Sequence, residues 1–281
     1  MKSYTSLHLL LILFIGVAFA FDQSTPTFEA SDEAWHYGVV REIAAGRGLP
    51  VQRVGELTTY RQEGSQPPLY YFVGAALVSW IDNYDSLSRY SYNPFGQVGV
   101  PGTTQNVNMF RHTNLEEIPL VGVALAVHVI RWFSILLGCG TVTLSFFVAK
   151  ALFPEKGRLP ILAASFTAFN PMFVFISASV NNDNGVWFLA SLIIYILILT
   201  VNLEDDVSLI PSWLPRKLLQ RQYVTWLLGV LLGLAILTKL SALLLIPVIS
   251  TYLIWRTKYH GSWYQVFREG SIIALCVFVL T

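Results

Sequence analysis

Apolar residues fall along this chain in six blocks, near residues 6–21, 130–150, 160–180, 185–202, 223–238 and 241–255. Each approaches the roughly 20 helical residues that cross a hydrocarbon core of about 30 Å. Blocks this apolar leave no polar face for water, the pattern of helices buried in lipid or among one another. They predict transmembrane helices. A further apolar run begins near residue 270 and stops at Thr281, too short to cross, so the chain reads as the amino-terminal part of a longer protein.

Between the first two blocks the pattern changes. From Asp32 to Ala45 the apolar residues Trp35, Val39, Val40 and Ile43 recur at helical spacing, with Arg41 and Glu42 on another face and Gly46-Arg47-Gly48 ending the run. This predicts an amphipathic helix lying on the membrane surface. Gln66-Pro67-Pro68-Leu69-Tyr70-Tyr71 then opens an apolar stretch that ends near Ile81, a length suited to an interfacial or re-entrant helix. Residues 82–118, rich in Asn, Tyr, Gly and Ser, predict an irregular loop.

Composition agrees with the blocks. The chain is 54% hydrophobic and 12% charged, with mean hydropathy +0.55, against a charged share of about a quarter in soluble domains. The fold class expected is all-α, a polytopic transmembrane bundle treated as one domain over 1–281. The net charge of +1 is uninformative, but its distribution is not. Lys150, Lys156 and Arg158 follow the second block, Arg216, Lys217 and Arg221 the fourth, and Arg256, Lys258 and Arg268 the sixth, so these loops are expected in the cytoplasm. The amino terminus with Lys2 then also lies inside, and 22–118 outside. A full crossing at 68–81 would invert every later basic loop. The first block reads as an uncleaved anchor, with Ala18-Phe19-Ala20 leaving a cleaved signal peptide as the alternative. Cys139 and Cys276 both sit in apolar runs, which points to core residues rather than a disulfide or metal framework. No nucleic-acid signature is present, and no Asn-x-Ser/Thr sequon occurs.

Candidate chemistry begins at Asp32-Glu33. Two adjacent carboxylates beside a membrane segment can take a proton or hold a cation; the structural alternative is that Ser31 caps a helix whose first turn carries them. Asp183, in Asn181-Asn182-Asp183-Asn184 after the third block, is expected on the same side as Asp32, the alternative being a short polar turn. Lys239 ends the fifth block, where its ammonium can hold a phosphate or simply snorkel to the interface. Arg131 is costly to place in lipid and is expected to face a polar cavity; Arg61 is a loop candidate. His36 lies at i+3 from Glu33, the spacing of metal-binding pairs on one helix face, but the plainer reading is a surface histidine. His128, on an apolar stretch, reads as a satisfied packing residue. Gly229 and Gly233, four residues apart, read as a close-packing face.

Together these segments resemble the GT-C superfamily of membrane glycosyltransferases. The resemblance rests on the loop Asp32-Glu33 pair, Gln66-Pro67-Pro68-Leu69-Tyr70-Tyr71, Arg131 opening a span, Asn181-Asn182-Asp183, and Gly233-Leu234-Ala235-Ile236-Leu237-Thr238-Lys239. It covers about residues 6–255. Within the superfamily the chain is similar to family 39-type transferases, the protein O-mannosyltransferases and lipid A aminoarabinose transferases. The resemblance implies a GT-C-like bundle in the plasma membrane of a bacterium. The implied reaction is inverting transfer of a sugar from a polyprenyl-phosphate donor to a hydroxyl of a lipid, glycan or protein acceptor. Asp32 matches the general base, Glu33 its supporting partner, and Asp183 the residue that assists or holds a divalent cation, Mg or Mn. Lys239, Arg131, Arg61 and His36 are the residues assigned to substrate. The family usually has His where this chain has Gln66. The rival expectations are a transporter or flippase-like protein without chemistry, which calls for ionisable residues at mid-span and broken or repeated helices, and a non-catalytic scaffold in envelope assembly.

Overall fold

The computed structural model describes residues 2–53, 55–82, 91–97, 100–102, 107–205, 220–260 and 262–281. Among these the chain is all-helical, apart from an isolated antiparallel bridge between Tyr92 and Phe110. The helices are α1 (Lys2–Ser24), α2 (Glu33–Ala44), α3 (Leu69–Val78), α4 (Gly122–Leu152), α5 (Leu159–Ala168), α6 (Pro171–Ser177), α7 (Asp183–Asp205), α8 (Arg221–Thr238), α9 (Leu245–His260) and α10 (Trp263–Leu280). Five are long and apolar enough to cross a membrane: α1 from Tyr4, α4, α7 to Val201, α8 and α10.

Two expected spans and the final run differ. The 160–180 block is two helices, α5 and α6, because proline disfavours helical geometry in the residue before it and Pro171 follows Asn170. The 241–255 block begins as a 3-10 turn over Leu240–Leu244, which leaves α9 among the shorter apolar helices. The final run is a full 18-residue helix from Trp263 rather than a short piece from 270, with Arg268 inside it instead of in a loop. Helix α3, with ten residues, is about 15 Å long and cannot cross. Arg216, Lys217 and residues 83–90, 98–99 and 103–106 of the 82–118 loop lie outside the described residues, as does the side chain of Lys258.

The chain divides into two compact units, Phe14–Leu137 with Pro171–Asn182, and Met1–Leu13 with Gly138–Asn170 and Asp183–Thr281. They are termed the first and second units. The first has one core, in which Phe28, Tyr37, Val40, Tyr71, Ile130 and Val180 meet. Helix α2 belongs to that core and does not lie free on a surface. Seven of its residues, Glu33, Ala34, His36, Tyr37, Gly38, Val39 and Val40, are buried. Gly38 permits this, since a methyl group there would lie 2.4 Å from the Thr59 carbonyl oxygen. Gly46, at φ 72°, ends the helix in the left-handed geometry that glycine adopts without strain.

The second unit is built on apolar helix packing. Val186 and Ile193 of α7, Leu228 and Leu232 of α8, Ile249 of α9 and Ile273 of α10 share one cluster. Helices α8 and α10 approach closely at the predicted glycines. A methyl group on Gly229 would meet Cys276 Cβ at 2.7 Å, and one on Gly233 would meet Leu280 Cδ1 at 2.8 Å. Cys276 is buried and Cys139 half-buried, and both are free thiols.

Candidate functional site

The chain between α1 and α2 turns twice through left-handed backbone, at Phe28 (φ 73°) and Asp32 (φ 57°). A phenylalanine there is strained. Its ring is buried beside Tyr37 and Phe110, at 5.4 and 5.8 Å between centroids, and this packing helps to hold the turn. The turns bring the Phe28 amide to Glu33 Oε2 at 3.0 Å. Glu33 is fully buried and also accepts the Val180 amide at 2.9 Å.

Arg131 of α4 completes this centre. Its Nε and Nη2 donate to the two Glu33 oxygens at 2.8 and 2.6 Å. Nη1 donates to the carbonyls of Asp22 at 2.9 Å and Thr25 at 2.8 Å, and Nη2 also to that of Pro26 at 3.2 Å. A guanidinium has five N–H donors, and these five bonds use them all. Arg131 therefore does not face a polar cavity where it could hold a phosphate; it ties the end of α1 and the start of α2 to α4. Beside it, Asp22 accepts His128 Nδ1 at 2.7 Å and Trp132 Nε1 at 3.0 Å, so His128 is a satisfied packing residue as expected.

Asp32 and Glu33 separate here. Glu33 is an internal anchor, whereas Asp32 is half-exposed at the N-cap position of α2 and makes no side-chain capping bond. Ser31 does not cap the helix either; its hydroxyl lies 3.4 Å from Asp32 Oδ2. The structural alternative of a capped helix start is not the geometry found.

His36 is buried rather than on the surface, with Nδ1 2.8 Å from the Tyr71 hydroxyl and 3.5 Å from Glu63 Oε2. That environment makes it a packing residue. Arg61 is exposed and lies over the rings of Trp35 and Tyr92. In the second unit, Lys239 Nζ donates to Asp183 Oδ1 at 2.6 Å, with each side chain about a quarter exposed. Asp183 opens α7, where a carboxylate favours the positive helix end, and Lys239 sits in extended backbone just after α8. The Asp183 carboxylate is thus paired with an ammonium, and among the described residues no three His, Cys, Asp or Glu side chains converge as a ligand set.

Sequence reasoning passed over Glu29, His112 and Glu116. His112 places Nε2 3.0 Å from Glu29 and Nδ1 3.0 Å from Glu116, while Glu29 also accepts the Met109 and Phe110 amides. The Glu116 and Glu29 carboxylates raise the His112 pKa to about 9. Burial pushes the Glu29 pKa up, but hydrogen bonds from His112 and the two amides outweigh it and hold the carboxyl below its ordinary value. His112 and Glu116 stand at i,i+4, a visible signal; Glu29 is 83 residues away from His112 and carried none. No family model, curated protein or solved structure matches the chain.

Proposed function

We propose that the chain is a GT-C-like membrane transferase that moves a sugar from a polyprenyl-phosphate donor to an acceptor hydroxyl on the extracytoplasmic face of the plasma membrane. Asp32 is its general base. One observation carries this assignment: of the two adjacent carboxylates, only Asp32 is left outside the buried ion pair, at a left-handed position beside an immobilised Glu33. Left-handed backbone is uncommon in non-glycine residues, although aspartate adopts it more readily than most, and such positions recur at functional sites. Glu33 is a positioning residue that fixes the backbone from which Asp32 projects.

In the proposed step the acceptor O–H proton passes to the Asp32 carboxylate. The acceptor oxygen bonds to the anomeric carbon as the carbon–oxygen bond to the carrier phosphate breaks, and the phosphate leaves with the electron pair, inverting the centre. No divalent cation enters the scheme. The basic loops carrying Lys150, Lys156 and Arg158 are assigned to the cytoplasm.

Asp32→Asn tests the assignment in vesicles supplied with a polyprenyl-phosphate sugar. Turnover is expected to fall by about 10²–10⁴, the worth of a positioned base, with the unfolding temperature unchanged because Asp32 has no buried partner. Undiminished transfer removes Asp32 as the base. Solute movement without sugar transfer by the wild-type protein supports the transporter instead, a reading that the broken pair α5 and α6 favours.

A further inference from the structure

We infer that α3 is a half-inserted membrane anchor: its outward face, Phe72, Val73, Ala76, Leu77 and Trp80, lies among the acyl chains and headgroups of one leaflet, on the Asp22–Arg131 side of the bilayer. Length alone says only that α3 cannot cross. Its depth, its outward face and the closure of its carbonyl end place it in lipid, and none of the three depends on the chain being a transferase.

Helix α4 supplies the depth scale. With 31 residues it is about 46 Å long, more than the roughly 30 Å of a hydrocarbon core, so part of it stands outside. Residues 132–149 carry no charged side chain, and these eighteen positions cover about 27 Å between Arg131 and Lys150. On α1, residues 3–21 likewise hold no Asp, Glu, Lys or Arg and end at Asp22, whose carbonyl accepts from Arg131. Both helices put the Asp22–Arg131 contact at a hydrocarbon boundary. Helix α3 meets α4 at this level. The Tyr70 hydroxyl lies 2.7 Å from Ser134 Oγ, and its ring centre 5.9 Å from that of Phe133, both on the hydrocarbon side of Arg131. A methyl group on Gly74 would instead meet Ile130 Cδ1 at 3.9 Å, on the other side. The helix therefore climbs toward the boundary from Tyr70 to Trp80.

Its outward face is apolar. Tyr70, Tyr71, Gly74, Ala75 and Val78 are buried, while Phe72, Val73, Ala76 and Leu77 between them are exposed, as is Trp80 at 71%. No charged residue occurs between Glu63 and Asp82. A surface helix in water carries polar residues on such a face. The carbonyl end is closed as well. Ala75 accepts the Ser79 amide and Val78 the Ile81 amide, both at 2.9 Å; Leu77 accepts Trp80 Nε1 at 2.8 Å, and the Ala76 oxygen lies 3.4 Å from the Ser79 hydroxyl. A helix end ordinarily leaves its last four carbonyls to water or to capping groups. Here all four are met within α3 and the three residues after it, the condition that hydrocarbon imposes. Trp80 then stands at headgroup level, where an indole ring is favoured. Through α3 the segment between α1 and α4 has its own hold on the bilayer.

The test is spin-label accessibility in the whole chain, reconstituted in phosphatidylcholine nanodiscs. Cys139 and Cys276 are replaced by alanine, and labels are attached through Val73→Cys, Leu77→Cys, Trp80→Cys and, as the water control, Gln62→Cys. All four sites are exposed, so the label displaces no core residue. Collision with oxygen, which concentrates among acyl chains, is compared with collision with a water-soluble nickel chelate. The oxygen-to-nickel ratio is expected to be several-fold higher at Val73 and Leu77 than at Gln62, and to fall in the order Val73, Leu77, Trp80. A ratio at Val73 and Leu77 equal to that at Gln62 puts the face in water. Suppression of both collision rates puts it against protein, and spin–spin broadening would identify that protein as a second copy of the chain. Either result, or the reverse order of depth, overturns the proposal. A second readout leaves the cysteines in place: Trp80 fluorescence, taken as wild type minus Trp80→Phe, should be quenched by lipid brominated near the top of the acyl chain, and absence of quenching also overturns the anchor. Neither readout involves sugar transfer, so the anchor and the transferase can fail separately.

Discussion

The two units differ in how far their buried polar groups reach for partners. In the second, buried hydroxyls are satisfied inside their own helices: Thr200 by the Ile196 carbonyl, Thr225 by that of Arg221 and Thr238 by that of Leu234, each one turn back. Its helices pack through aliphatic side chains and two glycines, with buried Glu269 of α10 paired to Arg221 at the start of α8. In the first, Arg131 is the largest fully buried side chain, and its partners come from residues 22 to 33, about a hundred positions away. A locally satisfied helix inserts and packs by its surface shape. A centre with distant partners has to be assembled whole, because any missing member leaves a charge without solvent or counterion.

Breaking that centre should have the largest effect. Arg131→Met strands Glu33 and should cost about 3–5 kcal/mol, read by thermal unfolding in detergent, while Arg131→Met with Glu33→Leu should recover much of the loss. A single variant as stable as wild type would mean that the carboxylate is not dependent on its partner. The matching perturbation of the second unit is smaller. Gly229→Ala drives a methyl into Cys276 and to 3.1 Å from Ile273 Cα, so α8 or α10 must shift, at about 1–3 kcal/mol. Val230→Ala, on an exposed face one residue away, is the control and should change little.

The pH response of His112 should be the mildest and should be confined to the first unit. Its pKa is raised from 6.5 to about 9 by Glu116 and Glu29, so its stabilisation is complete below pH 6.5 and is lost as pH climbs through 9. Glu29 acts at the other end: held below its ordinary 4.5, it contributes above that value and loses its contribution as pH falls through the lowered one. Protection of the Met109 and Phe110 amides from hydrogen exchange, taken against the intrinsic rate at each pH, should therefore be greatest between these limits, and His112→Gln should abolish its loss at alkaline pH.

What is legible in the sequence follows the same division. The Gly229 and Gly233 spacing announces a packing face because four residues is nearly one helical turn, and α8 meets α10 there. The 160–180 block reads as one span by its apolar length, although Pro171 carries the signal for a break. The failures of the site assignment lie where identity alone cannot reveal a partner. Arg131 reads as a costly cation that needs something polar, and a cavity and a carboxylate meet that need equally well on paper. His36 reads as polar and hence exposed until Tyr71 and Glu63 enclose it.

By itself the sequence determined that this is an all-α chain with apolar helices of membrane-crossing length, because each helix must satisfy its backbone internally and present its own apolar surface to lipid. It also marked Asp32-Glu33 as the chemically charged point of the long loop. Only the tertiary structure decided which of the two is anchor and which is left outside. Both are carboxylates one residue apart, and what distinguishes them is the direction each side chain takes from a left-handed turn and the guanidinium that Glu33 meets there, supplied from position 131.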